Sequence, residues 1–351
     1  MLGFVLEAVT GQSYEEVLSS TILDPLGMHH TTVKKPNDSK GIIPATYNDW
    51  RYVTGAYDPY DRPTNPVDKN FADWQTCRTS GIYSTSRDLS IFLRALLRSE
   101  LLDESTTNAW FKPHSWSSSL HAAYGMPWEI YRTTDLLRDS DRGMTIITKI
   151  GNLFGYFSHV IMLPEYDVAI TILVAGDPKA RSWLENKVLT ATANTVEKIA
   201  RCQTGMRYGG LYSSSDINSS VSLDLCGSSG LVINEWVSNG TDFLHEFVSL
   251  HSGDDEFIKG RVQLVPAGIR RSNGAEVWSA TFVPNSRQPK SVIDVCMVND
   301  VDLFMYGDRS LHEFLFFSDD YGHMSEIELP ALRITLQRME SPRAWHRFTE
   351  S

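Results

Sequence analysis

The run Lys149-Ile150-Gly151-Asn152 sets a cation, an apolar side chain, a residue without a Cβ and an amide in succession. A lysine ammonium lowers the pKa of neighbouring acids and nucleophiles and favours negative charge beside it. Gly151 lets a ligand come close to the backbone. These parts suit nucleophilic acyl chemistry, which also needs a hydroxyl or thiol with an activating group next to it. None of the 11 lysines has a serine three residues before it, no Tyr-x-Asn occurs, and Gly-x-Ser-x-Gly is absent. The run by itself thus supplies a cation and a close approach to the backbone, without an obvious nucleophile. The alternative for Lys149 is a half-buried strand lysine whose head snorkels to water.

Other reactive side chains fare less well. His29 and His30 are adjacent and lack metal-ligand partners at helical spacing, so they read as surface loop. His159 follows Ser158 on a predicted strand, where a packed histidine is the commoner outcome. Trp74, Trp110, Trp116 and Trp128 frame the same region and suit either an apolar pocket or the core. Cys77, Cys202, Cys226 and Cys296 are widely spaced with no Cys-x-x-Cys, so neither zinc nor a dense disulfide framework is indicated. No cofactor or metal is expected.

The elements that must position Lys149 are legible around it. Thr148–Ala175 reads as a strand, a Gly155-Tyr156 turn, a second strand, a proline turn and a third strand. Upstream, Leu2, Val5, Leu6 and Val9 share a helical face that Thr10-Gly11 ends. Ser13 and Glu16 form a capping box for a helix burying Tyr14, Val17, Leu18 and Ile22, which Asp24-Pro25-Leu26-Gly27 stops. From Lys34 to Cys77 the chain reads as long loops. Thr85 or Ser86 then caps a helix with Leu89, Phe92, Leu93, Leu96 and Leu97 on one stripe. A further helix is expected near 105–111, an extended run near 124–131, and a helix from about Ser182 to Cys202.

After Thr204 the period changes. Runs such as SVSLDL, LVINEW, FLHEFVSL, RVQLVP, EVWSATFV and SVIDVCMV alternate at short spacing, separated by Ser, Gly, Asn and Asp. That spacing predicts an antiparallel barrel or sandwich with its own core. Two domains are therefore expected, 1–203 and 206–351.

Composition narrows the function. The chain has 351 residues, a net charge of −11 and 42% hydrophobic residues. The acidic balance argues against nucleic-acid partners, which require Lys and Arg to neutralise phosphates. No apolar run approaches the roughly 20 residues that span a bilayer, so no membrane partner is expected. MLGFVLEAVTGQ lacks a basic n-region and carries Glu7, and so does not read as a signal peptide. Compartment and oligomeric state stay open.

Three segments in order resemble one family. GFVLEAVTGQSYEEVLSSTILDPLGM is similar to the helical block that follows Tyr-x-Asn in class C β-lactamase-like proteins. SGIYSTSRDLSIFLRALL resembles their Gly-Gly-x-x-Ser-Thr-x-x-Asp-Leu block, and TKIG…GYFSHVIMLPEYDVAITILVA their Lys-x-Gly strand with the two strands after it. The pattern is most similar to fungal β-lactamase-related proteins with a β-rich C-terminal domain. The resemblance implies an α+β fold: a partial β-lactamase/transpeptidase-like domain, with a helical subdomain and an antiparallel sheet, then an all-β barrel or sandwich.

The resemblance also implies roles. Lys149 and the N–H of Asn152 become catalytic, the latter as an oxyanion-hole donor; Ile150, Gly151 and Tyr156 become substrate-binding. Ile150 departs from the family's Thr or Ser, whose hydroxyl binds a substrate carboxylate. An ester or acyl small molecule is therefore the expected substrate, in a hydrolase or acyltransferase of fungal secondary metabolism. In the family, Ser-x-x-Lys and Tyr-x-Asn precede the opening block, so a sequence shortened upstream is expected. The alternative is an inactive relative serving as a small-molecule binding or regulatory module.

Overall fold

A computed structural model describes residues 2–33, 82–140, 142–153, 156–225, 230–252, 260–284 and 304–339. The predicted loops of 34–77, the run SVIDVCMV and Trp74 lie outside the described residues. The chain divides into two compact units, one of residues 1–138 and 143–196, the other of 139–142 and 197–351.

The first unit opens with helix α1 (Leu2–Thr10) and α2 (Tyr14–Leu18). The capping box forms: Ser13 Oγ accepts from the Glu16 N–H, and the Glu16 carboxylate accepts from the Ser13 N–H at 2.8 Å. A π-turn, Ser19–Leu23, leads into α3 (Asp24–Leu26). Gly27 ends it at φ +66°, a left-handed conformation that favours glycine. Helix α4 (Ser86–Leu97) is capped by the Thr85 hydroxyl, and α5 (Glu104–Trp110) by the Asp103 carboxylate. Hydrogen bonds from Thr106 hold the exposed Asp103 carboxyl down to about 2, so that cap persists until strongly acid pH.

Six antiparallel strands follow in chain order: β1 (Ser115–Trp116), β2 (Ala122–Tyr124), β3 (Glu129–Thr133), β4 (Met144–Leu153), β5 (Tyr156–Leu163) and β6 (Val168–Ala175). The extended run expected near 124–131 is thus split. Between its halves the Gly125 N–H turns back to the Trp128 carbonyl at 2.7 Å. Strand period 2 gives the sheet two apolar faces. Ile130, Ile147 and Met162 pack with Leu93 and Leu96 of α4 and with Trp128, while Trp110 lies against this cluster. Ile146, Ile161 and Ile172 pack with Ala193, Leu184 and Leu189 of helix α6 (Pro178–Tyr208). That helix runs past both predicted ends, because Asp177 accepts from the Lys179 N–H at its start and nothing breaks it before Gly209.

Asp88 of α4 is buried and ties the helical segments together. Its Oδ2 accepts from the His30 N–H and the Thr31 hydroxyl, each at 2.8 Å. His30 is therefore anchored through its backbone. In Asp88→Ala the His30 N–H loses its acceptor, whereas Thr31 Oγ1 keeps Ser84 Oγ at 2.8 Å; a donor orphaned away from water costs about 1–3 kcal/mol. Denaturant unfolding should show that loss for Asp88→Ala and a smaller one for Asp88→Asn, which keeps an acceptor. A loss under about 0.5 kcal/mol for the alanine variant would refute the account.

The second unit is a closed barrel. Its strands are β7 (Gly210–Ser214), β8 (Ser219–Leu225), β9 (Leu231–Ser238), β10 (Thr241–Asp242), β11 (Gly260–Arg270), β12 (Glu276–Pro284), β13 (Met305–Tyr306), β14 (Arg309–Ser310), β15 (Glu313–Ser318), β16 (Met324–Leu329) and β17 (Ile334–Arg338). The ring runs β9-β11-β12-β15-β16-β17-β7-β8 and returns to β9, which makes eight strands among the described residues. Trp236, Tyr212, Phe314, Phe316 and Leu336 fill its interior. The run FLHEFVSL, expected as a strand, is instead helix α7 (Phe243–Ser252). Phe243, Leu244, Phe247 and Val248 recur at helical spacing toward the barrel core, and Asp242 accepts from the His245 N–H at 3.1 Å as the cap.

Candidate active site

Strand β4 carries every residue of the Lys149-Ile150-Gly151-Asn152 run. On one side it pairs with β5 from Ile147 to Leu153. On the other, β3 pairs only from Met144 to Thr148, where Glu129 is the last partner. Past Thr148, that edge of β4 has no strand beside it among the described residues. The main-chain groups of an unpaired edge are a template for an extended ligand. The edge opens at Lys149.

Lys149 and Glu129 form an ion pair, Nζ to Oε1 2.6 Å, with side chains 40% and 20% exposed. Thr148 Oγ1 donates to the Glu129 carbonyl at 3.1 Å, which seats the strand end. Glu129 was not among the residues singled out by sequence: it lies 20 positions from its partner, and no local pattern joins them. Burial, then Glu129, then Tyr124 raise the Tyr131 phenol above its ordinary value.

Gly151 lies opposite Ser158. Ser158 Oγ donates to the Gly151 carbonyl at 3.2 Å, and a Cβ on Gly151 would fall 2.4 Å from that oxygen. A side chain at 151 would thus require the Ser158 hydroxyl to turn away and give up its bond to the 151 carbonyl. Ile150 pairs with His159.

Asn152 is exposed, and its Oδ1 accepts from Arg181 Nη1 of α6 at 2.5 Å. Tyr156 starts β5 at the same end of the sheet. Its hydroxyl is buried without a hydrogen-bond partner among the described residues. Burial, then Tyr83, pushes its phenol up, so it stays protonated at neutral pH. His159 is buried, and its Nδ1 stands 2.8 Å from Glu185 Oε1.

The five predicted residues therefore lie together at one end of the β4–β5 ladder. Trp110 and Trp128 do not line this edge; they pack edge to face with centroids 5.1 Å apart in the core. The described residues hold no group of three or more metal-ligating side chains.

Comparison with known proteins adds the following. The family described as Beta-lactamase matches residues 1–195, and that described as Beta-lactamase-like-like, C-terminal domain, matches residues 200–340. A probable hydrolase of a Phoma species is 28% identical over 96% of this chain and 55% of its own length. A probable hydrolase of Cochliobolus lunatus is likewise 28% identical, over 96% and 54%. A beta-lactamase-like protein of Arthroderma benhamiae is 29% identical over 78% and 40%. The chain spans about half the length of the curated relatives it matches. Among solved structures, a class C beta lactamase of Rhodobacter sphaeroides aligns over 55% of this chain and 57% of its own, at 19% identity and a TM-score of 0.37.

Proposed function

The chain belongs to the β-lactamase family, which matches more than half of it, and on that premise we propose that it forms the substrate-binding wall of a serine hydrolase or acyltransferase acting on an uncharged ester or acyl small molecule. The open edge of β4 carries this reading. A substrate lying along Lys149–Asn152 would find a cation, a glycine that admits its backbone-like groups, and the Asn152 N–H for a developing oxyanion.

Two features favour an uncharged substrate. Ile150 offers no hydroxyl, and the ammonium of Lys149 is already matched by Glu129 at 2.6 Å. A substrate carboxylate would meet no hydroxyl at position 150 and no unneutralised charge at Lys149. In this reading the nucleophilic serine comes from sequence upstream of the family block that opens the chain. A place in fungal small-molecule biosynthesis accords with the fungal source of the probable hydrolases. Nucleic acid is a poor partner for a chain of net charge −11. No described helix is long and apolar enough to cross a membrane.

One observation favours a second reading, a binding module without hydrolytic activity: the 351 residues contain no Ser-x-x-Lys. A fluorophosphonate probe separates the two. The 351-residue chain should show no labelling above a denatured control. A protein carrying an in-frame upstream Ser-x-x-Lys and Tyr-x-Asn should label stoichiometrically at that serine. If the longer protein stays unlabelled, the binding module is the better account. Stoichiometric labelling of the shorter chain at Ser80 or Ser158 would place the nucleophile within it.

A further inference from the structure

Among the described residues the Lys149–Asn152 end of β4 is held by a strand on one side only, and a strand end paired on one side opens more readily than one paired on both. An oxyanion donor must keep its place to within a few tenths of an ångström. Something other than β-pairing must therefore steady this end.

The first turn of α6 supplies a brace. Arg181 Nη1 donates to Asn152 Oδ1 at 2.5 Å, and its Nε lies 2.8 Å from Glu185 Oε1, one turn along the helix, an ion pair by distance without hydrogen-bond alignment. That same carboxylate oxygen is 2.8 Å from Nδ1 of His159. The Arg181 guanidinium also sits 5.9 Å from the centre of the Phe157 ring. Phe157 and His159 are the β5 residues paired with Asn152 and Ile150. One helix end thus grips both strands of the site, β4 through Asn152 and β5 through Phe157 and His159. The Arg181 and Glu185 side chains are 15% and 19% exposed, so solvent screens their charges less than surface ones. A planar guanidinium can serve Asn152 and Glu185 at once, which an ammonium on a flexible stem does less well.

We propose that Arg181 is a positioning residue: it holds the Gly151–Asn152 corner in place for the oxyanion through Asn152, with Glu185 and His159 setting its own orientation. The proposal rests on the reading of Asn152 given above. It assigns Arg181 no contact with substrate.

The test is amide hydrogen exchange by NMR on the 351-residue chain, which needs neither nucleophile nor substrate. Alternation turns the Gly151 and Leu153 amides toward β5 when that of Asn152 faces the open edge, so Arg181→Ala should speed exchange at Gly151 and Leu153 by tenfold or more and shift the Asn152 amide resonance. Ile161 and Met162, in the sheet core, should keep their rates. Should Arg181→Ala fold poorly, Asn152→Ala removes the same bond from an exposed side chain and should give the same local gain at Gly151 and Leu153. Unchanged rates at Gly151 and Leu153 overturn the proposal. An equal rise throughout the sheet also overturns it, since Arg181 would then be a general packing residue. The hydrolase reading fails by the probe experiment instead, so the two failures are distinguishable.

Discussion

Replacing Lys149 with alanine, in a protein that carries the upstream serine, should lower kcat/KM for ester hydrolysis by about 100-fold or more. The loss has two sources. The ammonium beside the nucleophile and oxyanion disappears, an effect of about 2–4 kcal/mol by analogy with removing an oxyanion donor. In addition Glu129, 2.6 Å away in the parent and 20% exposed, is left as an uncompensated carboxylate next to the developing negative charge. The double variant Lys149→Ala/Glu129→Gln should therefore recover part of the lost rate, while folding stability stays near the parent's. A pair that is half open to water, as Lys149 is at 40% exposure, contributes only about 1 kcal/mol or less to stability. Activity within about threefold of the parent would make Lys149 a structural lysine. No recovery in the double variant would remove Glu129 from the account.

Trp236→Ala should destabilise the barrel by about 3–5 kcal/mol, the range for truncating a large buried aromatic residue. Trp236 is 1% exposed. Its ring lies 4.6 Å from that of Phe243, 5.4 Å from Phe247 and 5.1 Å from Phe314, centroid to centroid. These neighbours come from α7 and from β15, on which the cavity would open. Its indole N–H is buried without a partner among the described residues. Trp236→Phe removes that orphan and keeps most of the ring, so its cost should stay below about 1.5 kcal/mol. Denaturant unfolding read at barrel amides such as Phe314 and Leu336 checks both values. Equal losses for the two variants would mean that the aromatic cluster does not hold the barrel as described.

The two predictions draw on different kinds of information. Local signals were legible in the sequence. The Ser13–Glu16 capping box, the Thr85 cap and the strands of Thr148–Ala175 involve neighbours within a turn or a strand, so their spacing alone specifies them. The resemblance of residues 1–203 to β-lactamase-like proteins came from three such blocks in order. It gathered Lys149, Ile150, Gly151, Asn152 and Tyr156 because they share one β-ladder. The run FLHEFVSL misled because Phe, Leu and Val also suit strands, and its helical period became decisive only with Asp242 as the cap and Trp236 to receive Phe247.

What the tertiary structure decided depends on register and on where strands stop. The choice between barrel and sandwich rested on whether β8 pairs with β9, from Ser220–Val237 to Leu225–Leu231; hydrophobic alternation is the same in both. The open edge at Lys149 exists because β3 ends at Glu129, and that end also puts the carboxylate beside the lysine. The Arg181 brace joins residues 29 positions apart. Its Arg181–Glu185 half has the spacing of a helical pair, but only the packing of α6 on the sheet brings Asn152 and His159 to it. Alternation specifies which face of a strand is apolar. The free energy that selects its neighbour and its end comes from side chains distant in the chain, and those meet only in the folded protein.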